Sequence, residues 1–335
     1  MTRTPVDVDA IWEVAEECGV CGGRERRVLF AVLGKRYARC GGCAVVRLLD
    51  RVRPERLDLL YGHYYPPDDV PPAELEAQLG NPAFAHRRRR LEAALPPGER
   101  RIFEVGAGDG NFLASLRRHG WSVAGSEWSA DSVDLVRRRH GIALREGDVT
   151  AMDVPAGAFG VVAAYHVLEH VYAPRAWLRA TRRLVAPGGV LHLQVPNHGA
   201  LLARLAGTLS PALVFPQHVY LYTPRTLAAL LRAEGFEAVS LTTFDPWHGP
   251  GTAASTAANL ARRLLDGRDP WEGAVGPGAM DGGGAADGQA GGAGKRNPAG
   301  RIARALFGPL AHGIARAEAW VGMGAVVDVV ARPVG

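Results

Sequence analysis

From residue 100 onward the hydrophobic positions change period at regular intervals. Compact apolar runs at 101–105, 122–128, 142–149, 159–165, 188–196 and 237–244 read as strands. Between them, residues 109–120, 129–141, 173–185 and 223–236 place apolar residues at helical spacing with arginines on the other face. Alternation of this kind predicts an α/β domain, a mostly parallel sheet with helices on both faces. Ligands of such sheets bind beyond the carboxyl ends of the strands, so the strand-to-helix turns are where function is sought.

The first hundred residues follow a different plan. Cys18, Cys21, Cys40 and Cys43 are the only cysteines, two C-x2-C pairs separated by eighteen residues. That spacing predicts a zinc ribbon, with four thiolates closing a structural tetrahedral Zn2+ site. Disulfides or redox thiols are the alternative, disfavoured in a chain expected to be cytoplasmic and with no other cysteines. Short apolar runs at 26–33, 35–39 and 44–49 predict three strands around the pairs, in a module too small to fold without its metal. A tyrosine- and proline-rich connection leads into a helix over 72–95, broken or bent near Gly80 and Pro82. Its run from Arg87 to Arg90 reads as a solvated helix face in preference to an RNA-contacting patch.

Charge narrows the partners only a little. With 335 residues, 47% of them hydrophobic, and a net charge of +5, the chain reads as an ordinary globular protein whose basicity is too mild to imply nucleic acid. No stretch approaches the roughly 18 uninterrupted apolar residues of a membrane span, and the acidic N-terminus lacks the pattern of a secretory signal; the expected location is cytoplasmic.

The first strand-to-helix turn reads Gly106, Ala107, Gly108, Asp109, Gly110. It departs from the dinucleotide fingerprint, in which the third glycine falls one residue later, and it lacks the lysine of a P-loop. Glu104, two residues before the first glycine, would repel a phosphate and suit a cationic ligand. Glu127 ends the second strand, where a carboxylate grips both ribose hydroxyls. Asp148 ends the third, where it can accept from an adenine amino group. A ligand with an adenosine, a positive charge and no phosphate is S-adenosylmethionine (SAM). With the ordered motifs at 103–113, 123–129, 145–149, 159–171, 184–197 and 222–236, residues 100–245 resemble class I SAM-dependent methyltransferases of the seven-stranded, Rossmann-like type. The resemblance implies that Gly106, Gly108 and Gly110 admit the methionine moiety and that Glu127 holds the ribose. It places Asp148 and Val149 beside the adenine and Tyr165 and His166 over the ligand. Trp128 is a candidate to stack on the adenine, a core tryptophan being the alternative.

His166, Glu169 and His170 also match H-x-x-E-H, an inverted zinc-peptidase pattern. That chemistry needs both histidines on one helical face, whereas this segment follows directly on a strand and ends at Pro174. If the acceptor must lose a proton, His170 and then His218 are the candidate bases, since imidazole titrates near neutral pH. Tyr220 and Tyr222 either shape the acceptor site or pack as a strand. The fold's last two strands should form a hairpin, 237–244 with 325–333, separated by a helical insert whose middle, 273–300, has eleven glycines in twenty-eight residues and reads as a flexible linker. The helices flanking it are candidates for a cap over the acceptor site or a homodimer contact, extra packing being the plainer alternative.

The expected organisation is therefore a zinc-ribbon module at 1–50, a connecting helical segment at 51–99, the SAM-binding core at 100–246, the insert at 247–320 and the last strand at 321–335. The arrangement resembles bacterial methyltransferases of sugar and secondary-metabolite pathways, implying a small-molecule or glycosyl acceptor. An RNA base methyltransferase and a non-catalytic SAM-fold binding protein are the alternatives.

Overall fold

The computed structural model describes residues 9–61, 68–267, 270–271 and 311–334. The predicted glycine-rich linker lies outside the described residues. The strands are β1 (Trp12–Val14), β2 (Arg26–Val32), β3 (Lys35–Cys40), β4 (Val46–Leu48), β5 (Asp50–Val52), β6 (Arg101–Val105), β7 (Ser122–Glu127), β8 (Arg145–Glu146), β9 (Phe159–Tyr165), β10 (Val185–Pro196), β11 (Tyr220–Leu221), β12 (Phe236–Thr242) and β13 (Val326–Pro333). The α-helices are α1 (Asp58–Tyr61), α2 (Pro72–Leu79), α3 (Pro82–Ala94), α4 (Asn111–Arg118), α5 (Ala130–His140), α6 (Pro174–Leu184), α7 (Leu201–Ala206), α8 (Pro224–Ala233) and α9 (His248–Asp266); residues 311–320 are also helical.

The main sheet has seven strands in the order β12-β13-β10-β9-β6-β7-β8. Strands β6 to β10 run parallel, and β13 is antiparallel to both β10 and β12. The seven-stranded, Rossmann-like α/β class expected from the pattern is the class observed, with β12 and β13 forming the expected pair. β9 is central and buried on both faces, which is why it reads as an unbroken apolar run. The helices follow their local chemistry. Proline at the first position starts α6, where the missing N–H costs nothing. A reciprocal Thr223–Thr226 cap starts α8. In α6, Trp177, Leu178, Thr181 and Leu184 form the buried stripe. The break expected near Gly80 and Pro82 separates α2 from α3, and the Asn81 side chain caps α3 through the Ala83 amide at 2.9 Å.

Two readings change. The cysteine-bearing sheet is completed from the catalytic core: its order is β11-β4-β3-β2, with Tyr220 and Leu221 paired to Arg47 and Val46. Tyr37, Val46 and Leu48 share one hydrophobic core with Phe215, Val219 and Tyr222, so the cysteine module leans on the core for part of its packing. Tyr220 accordingly lies in a strand, its hydroxyl 3.2 Å from the Gly19 amide that donates to it, and Tyr222 is buried just beyond that strand. The second change concerns the arginine run. Arg87 is 6% exposed and Arg90 lies 2.8 Å from the fully buried carboxylate of Asp328. The inner side of α3 closes over the sheet edge instead of facing solvent, because Asp328 on β13 and Gln194 on β10 give those guanidiniums partners inside.

Candidate active site

The glycine turn lies where β6 gives way to α4. Gly106, Gly108 and Gly110 all have positive φ, at 71°, 57° and 71°, a region costly for any residue with a Cβ. The three differ in what surrounds them. A Cβ on Gly106 would come within 2.6 Å of Val167 and one on Gly110 within 2.7 Å of Val136, so those two permit packing. A Cβ on Gly108 would point into open space, the space a ligand can occupy. Glu127, at the end of β7, faces this turn. One carboxylate oxygen accepts from the Gly108 amide at 2.8 Å and the other from the Trp128 and Ser129 amides at 2.7 and 3.3 Å. A carboxylate has about four lone-pair sites, so capacity remains for further donors such as hydroxyls. Trp128 is 49% exposed and so is not the core tryptophan that was the alternative. Asp148 is exposed and caps the Thr150 amide, while its neighbour Val149 is buried.

Glu104 sits on β6 beneath the turn, 4% exposed, with one carboxylate oxygen lacking any partner. Burial pushes its pKa up to about 8, against the pull of Arg87. Such a group prefers to be neutral until a cation comes beside it. The turn therefore combines open space at Gly108, an unsatisfied acid and a hydroxyl-gripping carboxylate. That donor set fits SAM, whose sulfonium and ammonium are positive and whose ribose offers two hydroxyls.

Tyr165 ends β9 and His166 follows it. The Tyr165 hydroxyl donates to Nδ1 of His192 at 3.0 Å, and Nε2–H of His192 donates to Asp328 at 2.9 Å. His166 has φ of 59° and both ring nitrogens buried without a hydrogen bond, Nδ1 being 3.5 Å from Glu169. Only Leu168–His170 forms a helical turn, a 3-10 one that excludes His166, so the peptidase geometry is not built.

The two candidate bases come together, with ring centroids 4.7 Å apart beside buried Glu169. His218 donates from Nδ1 to the Ala212 carbonyl at 2.8 Å, and His170 Nδ1 lies 3.1 Å from the Gln217 carbonyl and from the Tyr61 hydroxyl. Burial lowers both imidazole pKa values, most strongly at His218, keeping the rings neutral.

Sequence reasoning missed the far side of the site. Arg87 lies over the Tyr165 ring at 3.9 Å and donates to the Gln194 side chain at 2.8 Å. Gln194 in turn donates to Asp328 and Asp245 at 2.8 and 3.3 Å. Asp245 accepts from Nδ1 of His248, whose ring packs on His166 with centroids 4.3 Å apart. The Asp-x-x-His spacing at the start of α9 was the available signal.

The four cysteines converge, as their spacing predicted, with all ligand atoms within 4.8 Å of one another. The sulfurs of Cys18 and Cys43 are 3.7 Å apart and those of Cys21 and Cys40 3.5 Å. Those separations are far from the roughly 2.05 Å of a disulfide. They match the tetrahedron edge of about 3.8 Å that follows from Zn–S bonds of about 2.3 Å.

The mostly parallel seven-stranded sheet, with a glycine turn after β6 and an acid at the end of β7, defines a Rossmann-like fold. Residues 78–241 match the family model described as a methyltransferase domain. The ubiquinone biosynthesis O-methyltransferase of Xanthomonas axonopodis pv. citri is 30% identical over 183 residues, covering 50% of this chain and 77% of that one. The enzyme of the same name from Ralstonia nicotianae is 29% identical over 163 residues, 45% of this chain and 68% of that one. Among solved structures, a glycopeptide N-methyltransferase in complex with SAM aligns at 20% identity with a TM-score of 0.39, covering 48% of this chain and 86% of that one. The chain belongs to the class I SAM-dependent methyltransferases and is an enzyme of that kind. No helix among the described residues is long and apolar enough to cross a membrane.

Proposed function

We propose that this methyltransferase acts on a small molecule bearing a hydroxyl or amine, and that its SAM is held by Gly106, Gly108, Gly110 and Glu127, with Glu104 beneath the charged end. Trp128, Asp148 and Val149 would border the adenine, and Tyr165 and His166 the methionine portion. The observation that carries the reading is the Gly108–Glu127 contact beside open space, with the unpartnered acid of Glu104 below it. When bound, SAM supplies a methyl group on a sulfonium. The residues of this chain position it and exclude water, which is where much of the rate of such an in-line displacement arises.

A small-molecule acceptor is supported by the names of the curated relatives, which act in ubiquinone biosynthesis. It is supported too by the basic residues. Arg24, Arg36 and Arg51 of the cysteine module are paired with Glu17, Asp50 and Glu13, while Arg87 and Arg90 are turned inward. An RNA acceptor would need those charges free along one surface. The four cysteines would hold a structural Zn2+ that fixes the sheet onto which β11 is paired.

Calorimetric titration with SAM and its demethylated product, S-adenosylhomocysteine, tests the cofactor site, with NAD as control. Micromolar binding of the first two without NAD is expected. A radiolabelled-methyl screen of phenols, amines and sugars, run beside an RNA pool, tests the acceptor; labelling of the RNA alone would overturn the small-molecule reading.

A further inference from the structure

We infer that His248 is the residue that takes a hydroxyl proton from the methyl acceptor, with Asp245 holding the ring in the tautomer that can do so. The inference rests on the reading of the protein as acting on a hydroxyl-bearing small molecule. Neither residue is among the bases expected from the sequence.

Position comes first. Because β13 is antiparallel to both its neighbours, β12 runs in the direction of β10 and ends at the same edge as β6 and β9. Asp245 and His248 follow β12 at that edge. The His248 ring packs on His166, and Val167, the next residue, lies against Gly106 closely enough that a Cβ there would meet it at 2.6 Å. The His248 ring is thus linked to the glycine turn through His166 and Val167.

The tautomer follows from the partner. Asp245, 1% exposed, accepts at Oδ1 from Nδ1 of His248 at 3.0 Å and from the Trp247 and His248 amides at 2.9 and 2.6 Å. An ionised carboxylate only accepts, so Nδ1 carries a proton, and in the neutral ring this fixes the tautomer whose lone pair is on Nε2. No hydrogen bond is made by Nε2 to any described residue, and the side chain is 20% exposed. His170 and His218 differ in what stands behind them. Their Nδ1 atoms face backbone carbonyls, and Glu169, the acid beside them, stands 3.9 Å from Nε2 of His218 and not behind the ring at Nδ1.

His248 opens α9, and Arg87 is bound to the same network through Gln194. Glu169 and Asp245 are the acids that face it. In the step itself the acceptor O–H bond breaks, its electron pair stays on oxygen, and the proton bonds to Nε2. The products are an oxyanion and an imidazolium paired with Asp245, and the freed oxygen pair is the one that can take a methyl group.

The test uses the full-length protein saturated with S-adenosylhomocysteine and para-nitrophenol as probe, at a pH below the probe's own pKa. Nitrophenolate absorbance should appear on binding. An imidazolium partner shifts such an equilibrium by one to three pH units, so the ionised fraction should fall roughly tenfold or more in His248→Gln and partly in Asp245→Asn, with S-adenosylhomocysteine affinity unchanged. Ring-nitrogen NMR of isotope-labelled protein should give an unprotonated Nε2 for His248. Equal ionisation in His248→Gln, no ionisation in the wild type, or a protonated Nε2 would each overturn the assignment. Absence of S-adenosylhomocysteine binding in the wild type would instead overturn the cofactor site on which it depends.

Discussion

The Gly108 amide donates to the Glu127 carboxylate across 2.8 Å, tying the turn after β6 to the end of β7. In the proposed site the same ligand would meet the bare Gly108 backbone and the Glu127 acid. Glu127→Ala should weaken SAM binding by about 2 kcal/mol, roughly thirtyfold in Kd; calorimetric affinity equal to wild type would remove Glu127 from the site.

Gly108→Ala and Gly110→Ala should separate binding from stability. Both force alanine into a left-handed conformation at a cost of about 1–2 kcal/mol. Only at Gly110 does the new methyl also meet Val136. Urea titration should therefore find Gly110→Ala the less stable of the two, while Gly108→Ala, whose methyl enters open space, should lose more SAM affinity than its stability loss accounts for.

Glu104 should make ligand-free stability depend on pH. Its pKa in the folded state is pushed by burial to about 8 from an ordinary 4.5. Between those values the folded chain holds a proton that the unfolded chain releases, so stability falls as pH rises through the window. Glu104→Gln should remove that slope, gaining on wild type as pH approaches 8, while weakening SAM binding. Denaturation midpoints of both proteins across the window check the first effect; parallel curves would contradict it. SAM binding to the wild type at the upper end should also release a proton, seen as a buffer-dependent heat.

Asp328 is fully buried among His192, Gln194 and Arg90. Asp328→Ala should cost about 3–5 kcal/mol by stranding a buried guanidinium. It should also free the His192 ring that fixes the Tyr165 hydroxyl. A urea midpoint close to wild type would show that Arg90 finds water instead.

Cys40→Ser should abolish binding of the proposed Zn2+ and loosen the sheet that carries Tyr220 and Leu221. Limited proteolysis and metal analysis read both effects. Full zinc occupancy in the variant would contradict a four-cysteine site.

The sequence by itself determined the α/β class, the glycine turn with Glu127, and the cysteine pairing in space, because each depends on contacts between residues near in sequence or on a fixed local period. The break in the N-terminal helix was legible for the same reason, since Gly80, Asn81 and Pro82 act within one turn. What sequence could not supply was pairing at long range. Whether Arg87 faces water or Gln194, and Arg90 water or Asp328, depends on strands more than a hundred residues away, and a run of arginines has the same periodicity either way. Likewise Tyr220 and Leu221 complete the sheet of a module that ends before residue 55, and Asp245 meets His248 beside His166 only because β12 turns back against β13. Periodicity records which face of an element is buried; only the tertiary fold decides which charges and rings meet there.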